Sequence, residues 1–308
     1  MRLVQNLICS RFKGSNSVAS LFVVKLDTGG KIWYILYMKC DLHIHTNCSD
    51  GIFSPEDIVD MAAQRGLDCI AITDHDTFQG IERARSRARE LGLKYVVGAE
   101  ISSVVGGLDV HMLAYNVDIY NPDFSAAMEK ISDLRNQRNI AMVAKLAEHG
   151  INIDLDALKL NNTSVGRAVI AREMVRLGVA KDVADAFERY IGSGKCCFVQ
   201  TRRLTPIEAI HFTLQFGGLP VIAHPKQLHM SEKEFERFLQ PLVKAGLAGI
   251  EANYFTHNNL ERNFYNKLAK KYKLIATGGS DFHDYVHGVE LGSKSFSPNG
   301  YTRKILGI

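Results

Sequence analysis

The stretch KCDLHIHTNCSDG, residues 39–51, sets His43 and His45 one residue apart at the end of an apolar run and follows them with Asp50 and a glycine. In an extended chain residues i and i+2 face the same way, so both imidazoles can address one cation while Leu42 and Ile44 pack outward against helices. Polar residues recur at the ends of later apolar runs: Asp74 and His75 in AITDHDT, Glu100 in GAEIS, His111 in VHMLAYNV, His224 in VIAHP, and Asp281 with His283 in GSDFH. Any one of these histidines alone is equally well a hydrogen-bonded rim residue. Gathered together, they would leave unpaired polar groups and mutual carboxylate repulsion, each costing on the order of a kcal/mol or more unless cations compensate. Metal binding is the economical explanation.

The elements that must position these residues are strand-like runs at 40–45, 69–74, 95–102, 110–117, 219–224, 249–253 and 274–281, with helical periodicity between most of them. That alternation predicts βα units and a largely parallel sheet. Ser54 as N-cap, Pro55 at the first helical position and Gly66 as stop frame the first helix. Helical patterns also cover 79–91, 205–216, 231–245 and 257–271. Between 121 and 200 the pattern is helical with no convincing strand, and such an insertion after the fourth strand is expected at the C-terminal face of a barrel, where active sites of that architecture lie. The expected layout is an extension over 1–37 that need not belong to the functional protein, which Met38 would then begin. A barrel over 38–120 and 201–290, a helical cap over 121–200 and a C-terminal tail over 291–308 follow. The alternative for the first segment is a terminal strand, KIWYILY, covering a sheet edge.

Charge argues for small substrates. The net charge of +4 comes entirely from residues 1–37, which hold five basic residues against one acid, and 32 of each sign follow. The main body therefore lacks the basic excess of a track for long duplex nucleic acid. No apolar stretch approaches the roughly 18 residues of a membrane span. Six cysteines without CxxC spacing read as reduced thiols of a cytoplasmic protein.

Taken in order, DLHIHTNCSDG, AITDHDT, GAEIS, VHMLAYNVD, VIAHP and GSDFH resemble the motifs of the PHP family of metal-dependent phosphoesterases (polymerase and histidinol phosphatase), over about Lys39 to His283. The likeness is to the small-molecule branch with a helical insertion. It implies an α/β fold, a distorted seven-stranded (β/α) barrel holding two to three divalent ions, manganese first and iron or zinc as alternatives. His43 and His45 would share one ion with Asp281. Glu100 would bridge it to a second held by His111 and His224, while Asp50, His75 and His283 hold a third. Imidazole and carboxylate without thiolate suit those metals. Asp74 would orient a ligand histidine from behind. The implied reaction is phosphoester hydrolysis by a hydroxide shared between ions, with Glu100 and Asp74 as the catalytic residues and the leaving-group acid unassigned.

In SVGRAVIAR, Arg167 matches a family arginine that approaches phosphate, whereas Val169 stands where relatives often carry histidine. Arg202 and His257 are further candidate substrate contacts, with Arg203 beside the first. The expected substrate is a nucleoside 3′,5′-bisphosphate or short oligonucleotide. A cyclic sugar phosphate or histidinol phosphate is the alternative, and a metal-holding barrel without turnover or an amidohydrolase-type deaminase are readings of other classes. Oligomeric state is left open by the sequence.

Overall fold

The computed structural model describes residues 9–10, 21–26, 32–161, 164–200, 202–285, 288–293 and 295–308. The extension expected over 1–37 lies in large part outside the described residues. Within it β1 (Cys9–Ser10), β2 (Leu21–Leu26) and β3 (Ile32–Tyr37) form an antiparallel sheet of their own. The described part of KIWYILY, Ile32–Tyr37, is thus a strand, but among the described residues its ladder partner is β2 and not an edge of the main sheets.

The main body holds two sheets. β4 (Cys40–Asp41), β5 (Cys69–Ile70) and β6 (Lys94–Tyr95) are parallel. β7 (Gly98–Val105), β8 (Leu108–Tyr115), β9 (Leu219–Ile222), β10 (Gly249–Tyr254) and β11 (Ile275–Gly279) form the second sheet in the order β11-β10-β9-β8-β7. The sheets meet at both edges. On one side Leu42 N–H donates to the Gly278 carbonyl and Asp281 N–H to that of His43. On the other, Glu100 N–H donates to the Asp74 carbonyl and Asp76 N–H to that of Glu100.

Two expectations are corrected here. The run read as one strand over 95–102 is split between β6 and β7, which belong to different sheets. β8 runs antiparallel to both neighbours, because β7 and β8 are joined by Gly106 and Gly107, both at positive φ, and so short a turn leaves no room for a helical crossover. Leu42 is also turned otherwise than expected. Regular pairing ends at Asp41, so strict alternation stops, and Leu42 packs with Leu113, Tyr115 and Val221 while Ile44 alone joins the cluster under the helices.

Helices cover the sheets where their caps predict. α1 (Pro55–Gln64) starts at a Ser54/Asp57 capping box with proline in its first turn, and α2 (Ile81–Leu91) packs beside it. The insertion supplies α3 (Phe124–Glu148), α4 (Leu155–Asn161), α5 (Arg167–Arg176) and α6 (Val183–Ala186), with an apolar cluster of its own that includes Met142, Leu146, Val169, Ile170 and Met174. α7 (Pro206–Gln215), α8 (Glu232–Lys244) and α9 (Asn259–Lys271) begin at the boxes Thr205/Glu208, Ser231/Glu234 and Asn258/Glu261. They bury Ile210, Leu239 and Leu268 against Met112, Ile222 and Ile250.

The reversal of β8 decides how the insertion reaches the site. Tyr115 pairs with Gly98 and Leu219, the first residues of β7 and β9, so the chain leaves at the end opposite the metal-type residues and not at the C-terminal face as expected. α3, with 25 residues and about 37 Å of length, carries it back. The last residues are no loose tail: Phe296 bridges Cys40, and α10 (Gly300–Leu306) buries Leu306.

Candidate metal centre

Nine residues named from the sequence come together, with Glu100 at their middle. Glu100, on β7 and 1% exposed, presents Oε2 to His43 Nε2 (3.3 Å), His45 Nε2 (3.2 Å) and His75 Nδ1 (3.2 Å). Its Oε1 meets His111 Nδ1 at 2.9 Å and His224 Nε2 at 2.8 Å. Asp281 Oδ1 lies 3.3 Å from His43 Nε2 and 3.1 Å from His45 Nε2. Asp50 closes the other side, 3.3 Å from His283 Nε2, 3.5 Å from His45 Nδ1 and 3.7 Å from His75 Nε2.

Short segments after regular strands deliver these side chains. His43 and His45 follow β4, His75 follows β5, His224 follows β9 and Asp281 follows β11. His224 and Asp281 have φ of 26° and 53°, the left-handed region, so the chain turns sharply as it leaves each strand. Gly279 is required beside this turn, since a Cβ there would lie 2.4 Å from that of His43.

The donor set fits divalent cations. His43 Nε2, both ring nitrogens of His45, His75 Nδ1 and His224 Nδ1 are buried and make no hydrogen bond. Unpaired imidazole nitrogens and carboxylate oxygens aimed at common points are costly without a cation and suited to one. Three subsets place one ligand atom per residue within 4.8 Å of each other: His43, His45, Glu100 and Asp281; His75, Glu100 and His111; and His45, Asp50, His75 and His283.

Electrostatics tell the same story. Burial opposes ionisation of Glu100, yet the charges of His75, His111 and His43 hold its carboxyl well below the usual range. Asp50 and Asp281 are held down in the same way against burial, chiefly by His283 and His43 respectively. Burial disfavours charge on His45, but its contacts with Asp281 and Glu100 draw it up to about 10. Burial takes His75 down to about 3, although Glu100 and Asp50 pull the other way. Imidazoles and carboxylates are set so closely here that each group's charge is decided by its neighbours and not by solvent.

Behind the ligand-type residues stand three buried acids. Glu251 lies 2.9 Å from His43 Nδ1 and accepts the His224 backbone N–H at 2.7 Å. Asp41 accepts from Ser280 N–H and Oγ–H and from Gly292 N–H, bracing the segment that carries Asp281 and His283. Asp74 differs from its expected part. Its carboxylate takes Thr46 N–H, Thr46 Oγ–H and Ser49 Oγ–H at 2.6–2.7 Å, so it shapes the loop leading to Asp50 and makes no hydrogen bond to a ligand histidine. Burial raises its pKa. Glu251 and Asp41 were missed; acids inside otherwise apolar strands, GIEAN and CDLHIH, were the available signal.

The expected substrate contacts fare unevenly. Arg167 donates to Asp109 at 2.8 Å and Arg203 pairs with the same carboxylate, two residues before His111 on β8. Arg202 is 83% exposed and pairs only with Glu208 of α7 among the described residues, at 3.8 Å. His257 is buried, 3.0 Å from the Ala252 carbonyl and packed on Tyr254 and Tyr265, so it faces no open cleft. Val169 is buried in the insertion's apolar cluster. The cleft itself, of about 240 Å³, joins Asp50, Asp281 and His283 to Ala168, Arg172 and Val183 of the insertion. Arg172 has no carboxylate partner among the described residues. Tyr254, which also lines the cleft, donates its hydroxyl to Asp281 Oδ2 at 2.8 Å. Beside the centre, Asp76 accepts from Arg135 Nε at 3.0 Å and from Ser102 N–H at 2.7 Å, tying α3 to the mouth.

A family model described as the PHP domain matches residues 41–194. A 5′-3′ exoribonuclease of Haemophilus influenzae is 34% identical over 82% of this chain and 93% of its own. A 3′,5′-nucleoside bisphosphate phosphatase of Chromobacterium violaceum is 31% identical over 79% and 86%. Two solved structures share the fold. One, from Chromobacterium violaceum, is described as an amidohydrolase with bound sulfate and no metal (TM-score 0.78, 29% identity, 87% of this chain and 96% of that one). The other, from Bifidobacterium adolescentis, is described as a metal-dependent phosphoesterase (0.77, 29%, 88% and 96%).

Proposed function

We propose, from the premise that this chain belongs to the PHP-domain family, that it is a metal-dependent phosphoric ester hydrolase acting on a nucleoside 3′,5′-bisphosphate or a short oligonucleotide. The observation that carries this is the gathering of six imidazoles and three carboxylates, Glu100 at their middle, beside a cleft that Arg172 also lines. Both relatives just described are named for phosphoester hydrolysis, and a guanidinium above an electropositive centre suits a phosphate better than an amide. The joined sheet edges support one distorted seven-stranded barrel, with β6 and β7 counted as a single strand.

His43, His45 and Asp281 would hold one ion, with Glu100 shared between it and a second held by His111 and His224, and Asp50, His75 and His283 would hold a third, with manganese preferred. Divalent ions supply two things to such a reaction, a water acidic enough to attack at neutral pH and neutralisation of phosphoryl oxygens. The rest is done by the chain. Glu251 keeps His43 Nε2 forward, and Tyr254 occupies Asp281 Oδ2 so that Oδ1 faces the centre. Asp41 and Asp74 hold the two loops that bring in Asp281, His283 and Asp50. Arg172 orients the phosphate from the insertion side. The cleft, of about 240 Å³, is of a size for the phosphorylated sugar of such a substrate. No helix among the described residues is long and apolar enough to cross a membrane.

The test is phosphate or nucleotide release from adenosine 3′,5′-bisphosphate, a short 5′-phosphorylated oligoribonucleotide, a ribosyl cyclic phosphate and histidinol phosphate, with protein reconstituted in manganese. Turnover of either of the first two with no hydrolysis of the last supports the assignment. Tight metal binding with no turnover of any of the four would overturn it.

A further inference from the structure

A second group of metal-type side chains lies in the insertion, apart from the centre just described. His149 caps the C-terminal end of α3, and Cys196 and Cys197 lie in the segment that returns from the insertion towards α7. α3 touches the mouth through Arg135, and the 14 residues from there to His149 span about 21 Å of helix. Cys196 Sγ is 3.7 Å from Cys197 Sγ, and Cys197 Sγ is 3.7 Å from His149 Nδ1. One ligand atom from each of the three residues falls within 4.8 Å of the others. Both thiols are free.

We propose that Cys196, Cys197 and His149 form a binding site for one thiophilic d10 cation, zinc in the first place, that fastens the end of α3 to the returning segment. The spacing is that of a tetrahedral ion. Bonds of about 2.3 Å to sulfur set the S···S separation near 3.8 Å, roughly the 3.7 Å already present between Cys196 and Cys197. Two thiolates and an imidazole select zinc, cadmium or copper(I) over the magnesium or manganese suited to carboxylates. Cys196 is exposed, which gives an ion its way in and leaves a fourth position to water, whereas Cys197 is buried and fixed by its N–H to the Tyr190 carbonyl. His149 Nδ1 lies 2.9 Å from the Lys145 carbonyl. A ring presenting Nε2 would keep Nδ1–H on that carbonyl, the support a ligating imidazole ordinarily has. Lys145 Nζ donates to the Phe198 carbonyl, so the same two segments are already tied beside the site. Loading converts two thiols to thiolates and releases two protons to solvent. Burial and the neighbouring Cys196 push the Cys197 thiol up to about 11, so uptake strengthens as pH rises.

The experiment is a cobalt(II) titration of the full-length protein, read by the thiolate-to-cobalt charge-transfer band. The catalytic centre offers only nitrogen and oxygen and is silent in that band, so ions filling it do not interfere. The expected result is a saturable band that zinc bleaches, that disappears in Cys196→Ser and that needs about tenfold or more cobalt in His149→Ala. Absence of the band in the wild-type protein, or its survival in Cys196→Ser, which keeps every other cysteine, overturns the proposal. Because Cys196 is exposed, that variant tests the site even if Cys197→Ser does not fold. Phosphoester hydrolysis by Cys196→Ser should be unchanged, so this site and the proposed activity stand or fall separately.

Discussion

Glu251 and His43, 208 residues apart in sequence, are joined by a hydrogen bond of 2.9 Å between a carboxylate and an imidazole that are both wholly shielded from solvent. The pairing fixes which nitrogen of His43 faces Glu100 and Asp281. Replacing Glu251 by Gln keeps the shape and removes the charge, so metal affinity should fall about 10- to 100-fold with the fold retained. Metal content after dialysis, alongside circular dichroism, measures this; full loading at wild-type affinity would contradict it.

Glu100 touches five imidazoles, more than any other carboxylate of the centre. Glu100→Gln should lower kcat by more than about 100-fold, beyond the loss expected for a residue that only supports a ligand. The melting temperature of the metal-free protein should not drop with it. Retained turnover would show that the carboxylate is not central to the reaction.

Arg172 and Arg202 separate a cleft residue from a surface residue. Loss of a charge-assisted contact of about 1.5–3 kcal/mol predicts that Arg172→Ala raises KM by about tenfold or more while metal content stays constant. Arg202→Ala should change neither parameter measurably, since its only ion-pair partner among the described residues is an exposed glutamate at 3.8 Å. Steady-state kinetics on both variants decide the assignment; equal effects would refute it.

Asp76 and Arg135 anchor α3 beside the mouth, both side chains nearly fully buried. Burial works against the Asp76 carboxylate, but the Arg135 charge and the Ser102 N–H hold its pKa below the ordinary value. A depressed folded pKa means the stabilisation is complete above the unfolded value of about 3.9 and is lost as pH falls through the folded one. Asp76→Asn should therefore cost about 3 kcal/mol at pH 7, where it strands a buried guanidinium, with the gap to wild type narrowing only below about pH 4. Urea unfolding of both proteins across that range checks the sign. A gap that widens on acidification would be inconsistent with it.

Chemical types were legible in the chain because they are local properties. Metal-type residues were legible in the apolar runs; His43, His45, His75, His224, Asp281 and His283 meet because they follow parallel strands that end on one side, whereas Glu100 lies within β7 and His111 within the antiparallel β8. Helix starts were legible for the same reason, since Ser54, Thr205, Ser231 and Asn258 each bond a backbone N–H three residues on. The Gly106–Gly107 turn was legible too and was passed over, at the cost of the direction of β8.

What the sequence alone determined is therefore the inventory: imidazoles and carboxylates without thiolate at the strand ends, caps at the helix starts and an insertion with its own apolar pattern. Tertiary structure decided which partners those groups take. Asp74 serves a loop, Arg202 faces solvent, His257 is sealed beneath Tyr254, and Arg172 overlooks the cleft. The reason is that a side chain's direction depends on where its element lands. That landing is set by the reversal of β8, the return of α3 and contacts between residues more than two hundred positions apart, none of which local spacing encodes.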